Sequence, residues 1–491
     1  MFGPKLRRPR PPAERPSLAG PESLTALLPI PAAQTARPSR CRALFAALAV
    51  TAAASCQSYN DRVAGAVDAF ERGSFEQAET AFGQSEVTGS SFLSGAEAGM
   101  AAFTDGRFEE ARAHFERAEL AARDVEERAA IGAESLTESL LTLAINESQA
   151  DYPGEGYEKV MLHVMLGLCH LTRFDAESVL VEARRVDELL TGEEELYGSE
   201  YGAGGIGHFM SAMAYELAGK PGEAYIDYQR MRDKGMGGDL VASALRRLAR
   251  RLGRADDLAR WEEEFGEGGP NPDRESPSVV LIGGLGMGPA KYETRIDVPI
   301  DGSMFAWAVP SFDGGSGRAA SLDLVFPESG VHVRSAVVED VAAVASENLS
   351  DRIAWISTRS AVRGLLKRQL ADQLKSDEET EWIGLAVDIF TIVSERADLR
   401  AWRTLPRAWV AARAYLPANE FVDIELHEAG GDRVDIGRYR LLEGETMFVV
   451  ARALDSGLVV HVVGGEAFEP STNPQDPEAL EDAPLSGARM Q

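Results

Sequence analysis

The residues best equipped for chemistry fall in two short blocks. The first is Tyr152-Pro153-Gly154-Glu155-Gly156-Tyr157-Glu158-Lys159: two phenols, two carboxylates and an amine around a tight turn. Pro153 fixes φ there, and the glycines are free to take φ > 0. Glu155 and Glu158 then lie near the start of the apolar helix "VMLHVMLGLCHL", where negative charge complements the helix dipole. The second block is Glu395–Pro406, "ERADLRAWRTLP". Glu395, Asp398 and Trp402 are spaced three and four apart, so a helix puts them on one face, with Arg396 and Arg400 as a neighbouring basic row. Asp398 is then placed to fix an arginine by a charge-assisted hydrogen bond at the helix end. Trp402 anchors the core, and Leu405-Pro406 stops the helix. The first block is expected to be architectural, joining a helix that ends near Glu147 to the next hairpin, with Tyr152 and Tyr157 packing it down. The alternative is a partner- or ligand-binding loop in which Tyr157, Glu155 and Lys159 make the contacts.

Other candidates carry less. "GGLGMGPAK" is glycine-rich, but a P-loop needs G-x-x-x-x-G-K-[ST] and a dinucleotide fingerprint needs a following helix. Here Pro289 and the strand-like "KYETRIDVPI" follow, so a β-hairpin turn is expected. His163 and His170 are seven apart and share a helix face, whereas Cys169 falls on another, and no carboxylate is spaced to complete a metal set. G-x-S-x-G, H-E-x-x-H and paired C-x-x-C motifs do not occur. No catalytic residue, metal or cofactor is therefore assigned.

The chain of 491 residues has 44% hydrophobic content, enough for cores in two or three domains. A formal net charge of −28 argues against nucleic-acid binding, which needs clustered Lys and Arg against phosphates. No run reaches the roughly 20 apolar residues of a membrane-spanning helix. Three cysteines give no disulfide framework. Their placement says more: Arg40 and Arg42 form a basic region, Ala43–Ala52 an apolar one, and Ala53-Ala54-Ser55 precede Cys56. This is the pattern of a secretory signal, residues 40–55, and the cysteine after the small residues resembles a lipoprotein signal with Cys56 as the lipidated N-terminus. Gln57, rather than aspartate, favours the outer membrane. Residues 1–39 are Pro/Arg-rich and read as a disordered extension or a misplaced start.

Helices must position the first block and a mixed region the second. "GSFEQAETAF" (Gly73–Phe82) aligns with "GRFEEARAHF" (Gly106–Phe115) at a shift of 33 residues, each behind an upstream helix. Alanines at the crossings and Phe75, Phe82, Phe108 and Phe115 as plugs resemble tetratricopeptide (TPR) hairpins. Phe174, 66 residues after Phe108, opens a further unit, and Gly205–Met231 gives another. TPR-like helical repeats are thus expected over residues 56–266. A smaller α+β domain with antiparallel strands is expected over 275–463. Its strands are Val279–Ile282, Tyr292–Ile300, Met304–Val309, Leu322–Phe326, Trp409–Tyr415, Phe421–Glu428, Val434–Arg440 and Thr446–Arg452, and its helices Val338–Asp351, Ile353–Leu374 and Trp382–Leu399. Residues 464–491 read as a disordered acidic tail.

"YPGEGYEKVMLHVMLGLCHL", "VEARRVDELL", "RLARRLGR" and "ERADLRAWRTLPRAW", in this order, resemble a family of uncharacterised bacterial TPR-containing envelope lipoproteins. The resemblance implies an envelope lipoprotein without established enzymatic activity and an accessory role in envelope or peptidoglycan assembly. The expected function is a non-catalytic, lipid-anchored scaffold that binds envelope proteins through its helical repeats, facing the periplasm from the outer membrane. The binding candidates are Tyr152, Glu155, Tyr157, Glu158, Lys159, Asp398, Arg400 and Trp402. The rival is an enzyme or carrier acting on an envelope lipid or glycan in a cleft between the domains, lined by Glu155, Glu158, His163, Asp398 and Arg400. Whether the two blocks meet, and whether they meet in an open cleft, separates these readings.

Overall fold

The 3.6-residue apolar period of the first half folds into helices and the later alternation into strands. The computed structural model describes residues 58–131, 151–197, 203–267, 272, 276–300, 303–352, 398–429 and 431–468. Cys56 and the expected signal, the expected helix Ile353–Leu374 and most of Trp382–Leu399 lie outside the described residues.

The helices are α1 (Tyr59–Glu71), α2 (Phe75–Phe82), α3 (Ser85–Thr88), α4 (Ser91–Thr104), α5 (Phe108–Ile131), α6 (Gly156–Leu171), α7 (Ala176–Tyr197), α8 (Gly205–Leu217), α9 (Pro221–Asp233), α10 (Gly238–Arg251) and α11 (Ala255–Phe265). Local signals start them. Ser58 Oγ accepts the Asp61 N–H at the head of α1, and Ser90 Oγ accepts the Leu93 N–H at the head of α4. The two matched segments fold alike: Phe75 and Phe108 each open a helix, and Phe82 and Phe115 are wholly buried. Small residues allow close crossings, since a Cβ on Gly99 of α4 would stand 2.5 Å from the Phe115 ring of α5.

The turn before each second helix repeats too. Gly73 and Gly106 sit at φ 78° and 79°, and their N–H groups return to the carbonyls of Phe70 and Phe103. Phe174 corrects the sequence alignment. It occupies this left-handed turn position itself, at φ 57°, and the helix begins two residues later at Ala176. The strain of about 1 kcal/mol that an L-residue meets there is opposed by packing on Phe448, with ring centroids 5.6 Å apart.

The strands build two five-stranded sheets and a hairpin. The first sheet runs β11 (Gly457–Val463), β10 (Thr446–Leu454), β1 (Ser278–Leu285), β7 (Ala408–Tyr415), β6 (Ala336–Glu339); β1 and β10 are parallel and the other pairs antiparallel. The second runs β12 (Glu466–Ala467), β9 (Arg433–Arg440), β8 (Phe421–Glu428), β4 (Leu322–Phe326), β5 (Val331–Arg334), all antiparallel. β2 (Lys291–Ile300) pairs with β3 (Ser303–Phe312). The expected hairpin turn at "GGLGMGPAK" is not one: Gly283 and Gly284 lie inside β1, and β2 pairs with β3 rather than with β1. The helix expected from Val338 begins at 341, because Val338 is still in β6.

Burial of β1 on both faces explains the layering. Val280 and Ile282 join the core made with the helices, while Val279, Leu281 and Leu285 join the core between the sheets with Leu324, Ile424 and Leu426. One sheet is therefore packed on both sides, the reason its strands read as continuous apolar runs. Helices and first sheet share one core, which includes Phe115, Met165, Trp402 and Phe448.

The turn at Gly106 presses on this sheet, because a Cβ there would meet the His461 ring at 2.5 Å, whereas one on Gly73 would meet nothing within 4 Å. Both glycines share nearly the same φ, so alanine should cost about 1 kcal/mol at either for backbone strain. Gly106→Ala should cost about a further 1 kcal/mol by displacing His461. Chemical denaturation of the two variants measures the difference, and equal losses would mean that the turn does not bear on the sheet.

Candidate functional site

The two sequence blocks converge, and they do so inside the protein. Pro153-Gly154 turns the chain, Gly154 taking φ 89°, and α6 starts at Gly156. Glu158, in the first turn, reaches back to accept the Glu155 N–H at 2.9 Å, half of a capping box. The described part of the second block is not helical as expected. Residues 398–406 form an irregular loop ahead of β7. Its local lock is Arg400, whose guanidinium grips Asp398 with bonds of 2.7–3.0 Å, and whose backbone N–H also donates to Asp398. Arg400 further donates to the Gly89 carbonyl and lies over the Tyr152 ring, 5.0 Å from its centroid.

An irregular buried loop leaves N–H groups that secondary structure does not serve. Two carboxylates from the helices serve them. Glu158 accepts the Trp402 N–H at 2.7 Å together with the hydroxyls of Tyr152 (2.7 Å) and Tyr157 (3.2 Å). Glu97, from α4, accepts the N–H groups of Arg403 (2.6 Å) and Thr404 (3.0 Å) and the Thr404 hydroxyl. Tyr59 of α1 donates to the Ala401 carbonyl at 2.8 Å. The Trp402 indole, fully buried, packs edge-on to Phe92 and against Phe115.

Charge is balanced by a lysine from the sheet region. Lys291, 1% exposed, pairs with Glu155, which also pairs with Arg352. Burial works against the ammonium, but the carboxylates of Glu155, Glu158 and Asp398 outweigh it and hold its pKa above the ordinary value. Burial raises the pKa of Glu158 against the pull of Lys291, and pushes Glu97 up to about 7 against its hydrogen bonds from Thr404 and Arg403.

Of the binding candidates, Tyr152, Glu155, Tyr157, Glu158 and Trp402 are buried, and Asp398 and Arg400 nearly so. Lys159 turns away to Glu126 of α5, and His163 pairs with Glu182 of α7 at 2.7 Å. Sequence reasoning missed Glu97, Tyr59, Thr404 and Lys291. Glu97 had a signal, as the lone carboxylate in the apolar helix "SFLSGAEAGMAAF". Lys291 had none, being one of many charged residues at a strand start.

Two further buried carboxylates bind helices to sheet. Glu216 of α8 meets Arg247 of α10 (2.7 Å) and Arg413 of β7 (2.9 Å), and the two arginines hold it down at about 2 despite burial. Glu339 of β6 accepts the Gly204 and Ile206 N–H groups at the head of α8, and burial pushes it up to about 7. Among the described residues no grouping of His, Cys, Asp and Glu could hold a metal ion, and no helix is long and apolar enough to cross a membrane. The chain matches no protein-family model, and no curated protein is detectably similar to it.

Proposed function

We propose that the protein is a non-catalytic, lipid-anchored scaffold of the bacterial cell envelope, acylated at Cys56, with a TPR-like helical array that binds envelope proteins on the periplasmic side of the outer membrane. The observation that carries the reading is the closure of the two blocks around Glu97 and Glu158. The residues with most chemical capacity spend it on the chain's own backbone N–H groups, and they join helices to sheet as one body. A stiff body of helical hairpins suits recognition by surface. The rival reading needs an open cleft lined by Glu155, Glu158, His163, Asp398 and Arg400; in the structure Glu155, Glu158 and His163 are 5%, 0% and 7% exposed. A role in envelope or peptidoglycan assembly is part of the proposal.

The test is crosslinking in living cells followed by affinity purification of a Cys56-intact, C-terminally tagged chain. One or a few envelope proteins in near-equal amount are expected. Recovery of bulk lipoproteins alone would count against the scaffold and direct the search to a bound lipid or glycan. Cys56→Ala should abolish incorporation of labelled fatty acid and release the chain from the membrane fraction. An acylated or membrane-bound variant would remove the anchor from the proposal.

A further inference from the structure

The two five-stranded sheets end in four edge strands, β11 and β6 in the first and β12 and β5 in the second. Three of these edges are covered, short or charged. Gly237, at the head of α10, donates to the Val337 carbonyl of β6, and a Cβ on Gly205 of α8 would run into the Val338 carbonyl, so helices cover that edge. β12 is two residues long, and β5 exposes His332 and Arg334. These are the usual defences of an edge against pairing with another chain.

β11 has none of them. It is seven residues long, pairs with β10 without a bulge, and carries no Lys, Arg, Asp, Glu or Pro from Gly457 to Gly465, in a chain that is 26% charged. His461 is engaged inward, on the Thr104 carbonyl at 2.9 Å and the Phe108 ring. The ladder fixes which backbone groups are open. Ser278 and Gly286 donate to the Glu445 and Ala453 carbonyls, so odd-numbered residues of β10 bond to β1 and even-numbered ones to β11. Through the register Val450↔His461 and Arg452↔Val459, the residues of β11 that bond to β10 are the odd-numbered ones. Leu458, Val460 and Val462 therefore point their N–H and C=O groups outward, and none of them has a backbone partner there among the described residues. Apolar surface continues past the strand: Phe174 is 42% exposed, and a Cβ on Gly464 would stand 2.9 Å from its ring.

We propose that β11 is a self-association edge, pairing antiparallel with β11 of a second copy of this chain about a twofold axis at Val460. The first sheets of both copies then form one continuous sheet. In that register Val460 faces Val460 of the second copy and Leu458 faces Val462 of the second copy, each pair exchanging both N–H···O bonds. A twofold contact sets a strand against itself, so a charged side chain near the axis would meet a like charge. The charge-free run from Gly457 to Gly465 meets that requirement, on a chain whose net charge of −28 opposes association elsewhere. The second copy also brings a strand of the right kind, since this sequence already holds an extended antiparallel pairing with β10. The pairing does not depend on the scaffold reading.

The test is sedimentation equilibrium of the full chain in non-ionic detergent from nanomolar to high micromolar concentration, with residue-resolved hydrogen exchange at both ends of that range. A concentration-dependent dimer is expected, in which the Leu458, Val460 and Val462 amides become protected on association. The Val459 and His461 amides, bonded to β10, should be protected at every concentration. Val460→Pro removes a donor that β10 does not use, a change an edge strand tolerates on its open side. It should raise the dimer dissociation constant by roughly tenfold or more, with the circular dichroism of the folded chain kept. If that variant does not fold, the exchange pattern of the wild type decides alone. A chain monomeric throughout the range would overturn the proposal. So would a dimer that leaves the Leu458, Val460 and Val462 amides unprotected, or one that a folded Val460→Pro variant forms equally well.

Discussion

Replacing Glu158 by alanine should cost about 4 kcal/mol of folding stability, and a large part of the variant should be recovered unfolded or aggregated. The wild-type carboxylate takes the Trp402 and Glu155 N–H groups and the Tyr152 and Tyr157 hydroxyls. Alanine strands the Trp402 and Glu155 N–H groups and the Tyr152 hydroxyl around a position that is 0% exposed. Each orphaned buried donor costs about 1–3 kcal/mol, of which relief of the buried charge beside Glu155 returns a part. Glu158→Gln keeps the shape and one acceptor oxygen, and should cost only about 2 kcal/mol. Urea denaturation followed by tryptophan fluorescence measures both, since Trp402 lies at the site. An alanine variant within 1 kcal/mol of wild type, by the same scale, would mean that the loop is held by other contacts.

The second large effect is a fall in stability as pH rises from about 4.5 to 7. Glu97 and Glu339 have folded-state pKa values pushed up to about 7 by burial, whereas in the unfolded chain both return to the ordinary range near 4.3. A group whose pKa is raised on folding binds its proton more tightly in the native state. Its contribution is therefore fully present below the unfolded pKa and is lost as pH rises through the folded one. Two such groups set a loss of up to about 3 kcal/mol each across this window. Glu158 is shifted in the same direction, and Glu216, held at about 2, changes its contribution only at lower pH. The thermal midpoint should be higher at pH 5 than at pH 7.5, and Glu97→Gln should flatten the slope by about half. A midpoint that climbs over the same interval would show that the hydrogen bonds from Arg403 and Thr404 outweigh burial and keep Glu97 ionised.

The sequence by itself determined the local structure. Apolar period separated helices from strands near residue 275, and the matched Phe75/Phe82 and Phe108/Phe115 positions fold alike because each is set by its own turn and its own helix face. Strand β1 was legible only as far as Ile282, since its last residues, Gly283–Leu285, carry the glycines of a turn and stay extended because both neighbouring strands pair with them. The two blocks around Glu155 and Asp398 were also legible as candidates. What only the tertiary structure decided is what those residues face. The second block has helical spacing, yet 398–406 is irregular. Its N–H groups find acceptors on Glu97 and Glu158, more than 200 positions away in the chain, and no local propensity encodes a bond of that span. Phe174 shows the same limit in small. Its spacing matched a helix start, but contact with Phe448 of β10 holds it in a turn that intrinsic preference would give to glycine. Lys291 and Arg452 are the extreme case. Both look like surface charges in sequence, yet one becomes a counter-ion to Glu155 and the other is buried against the Gly286 and Thr404 carbonyls and the Phe70 ring, because burial and pairing depend on which strands and helices come together.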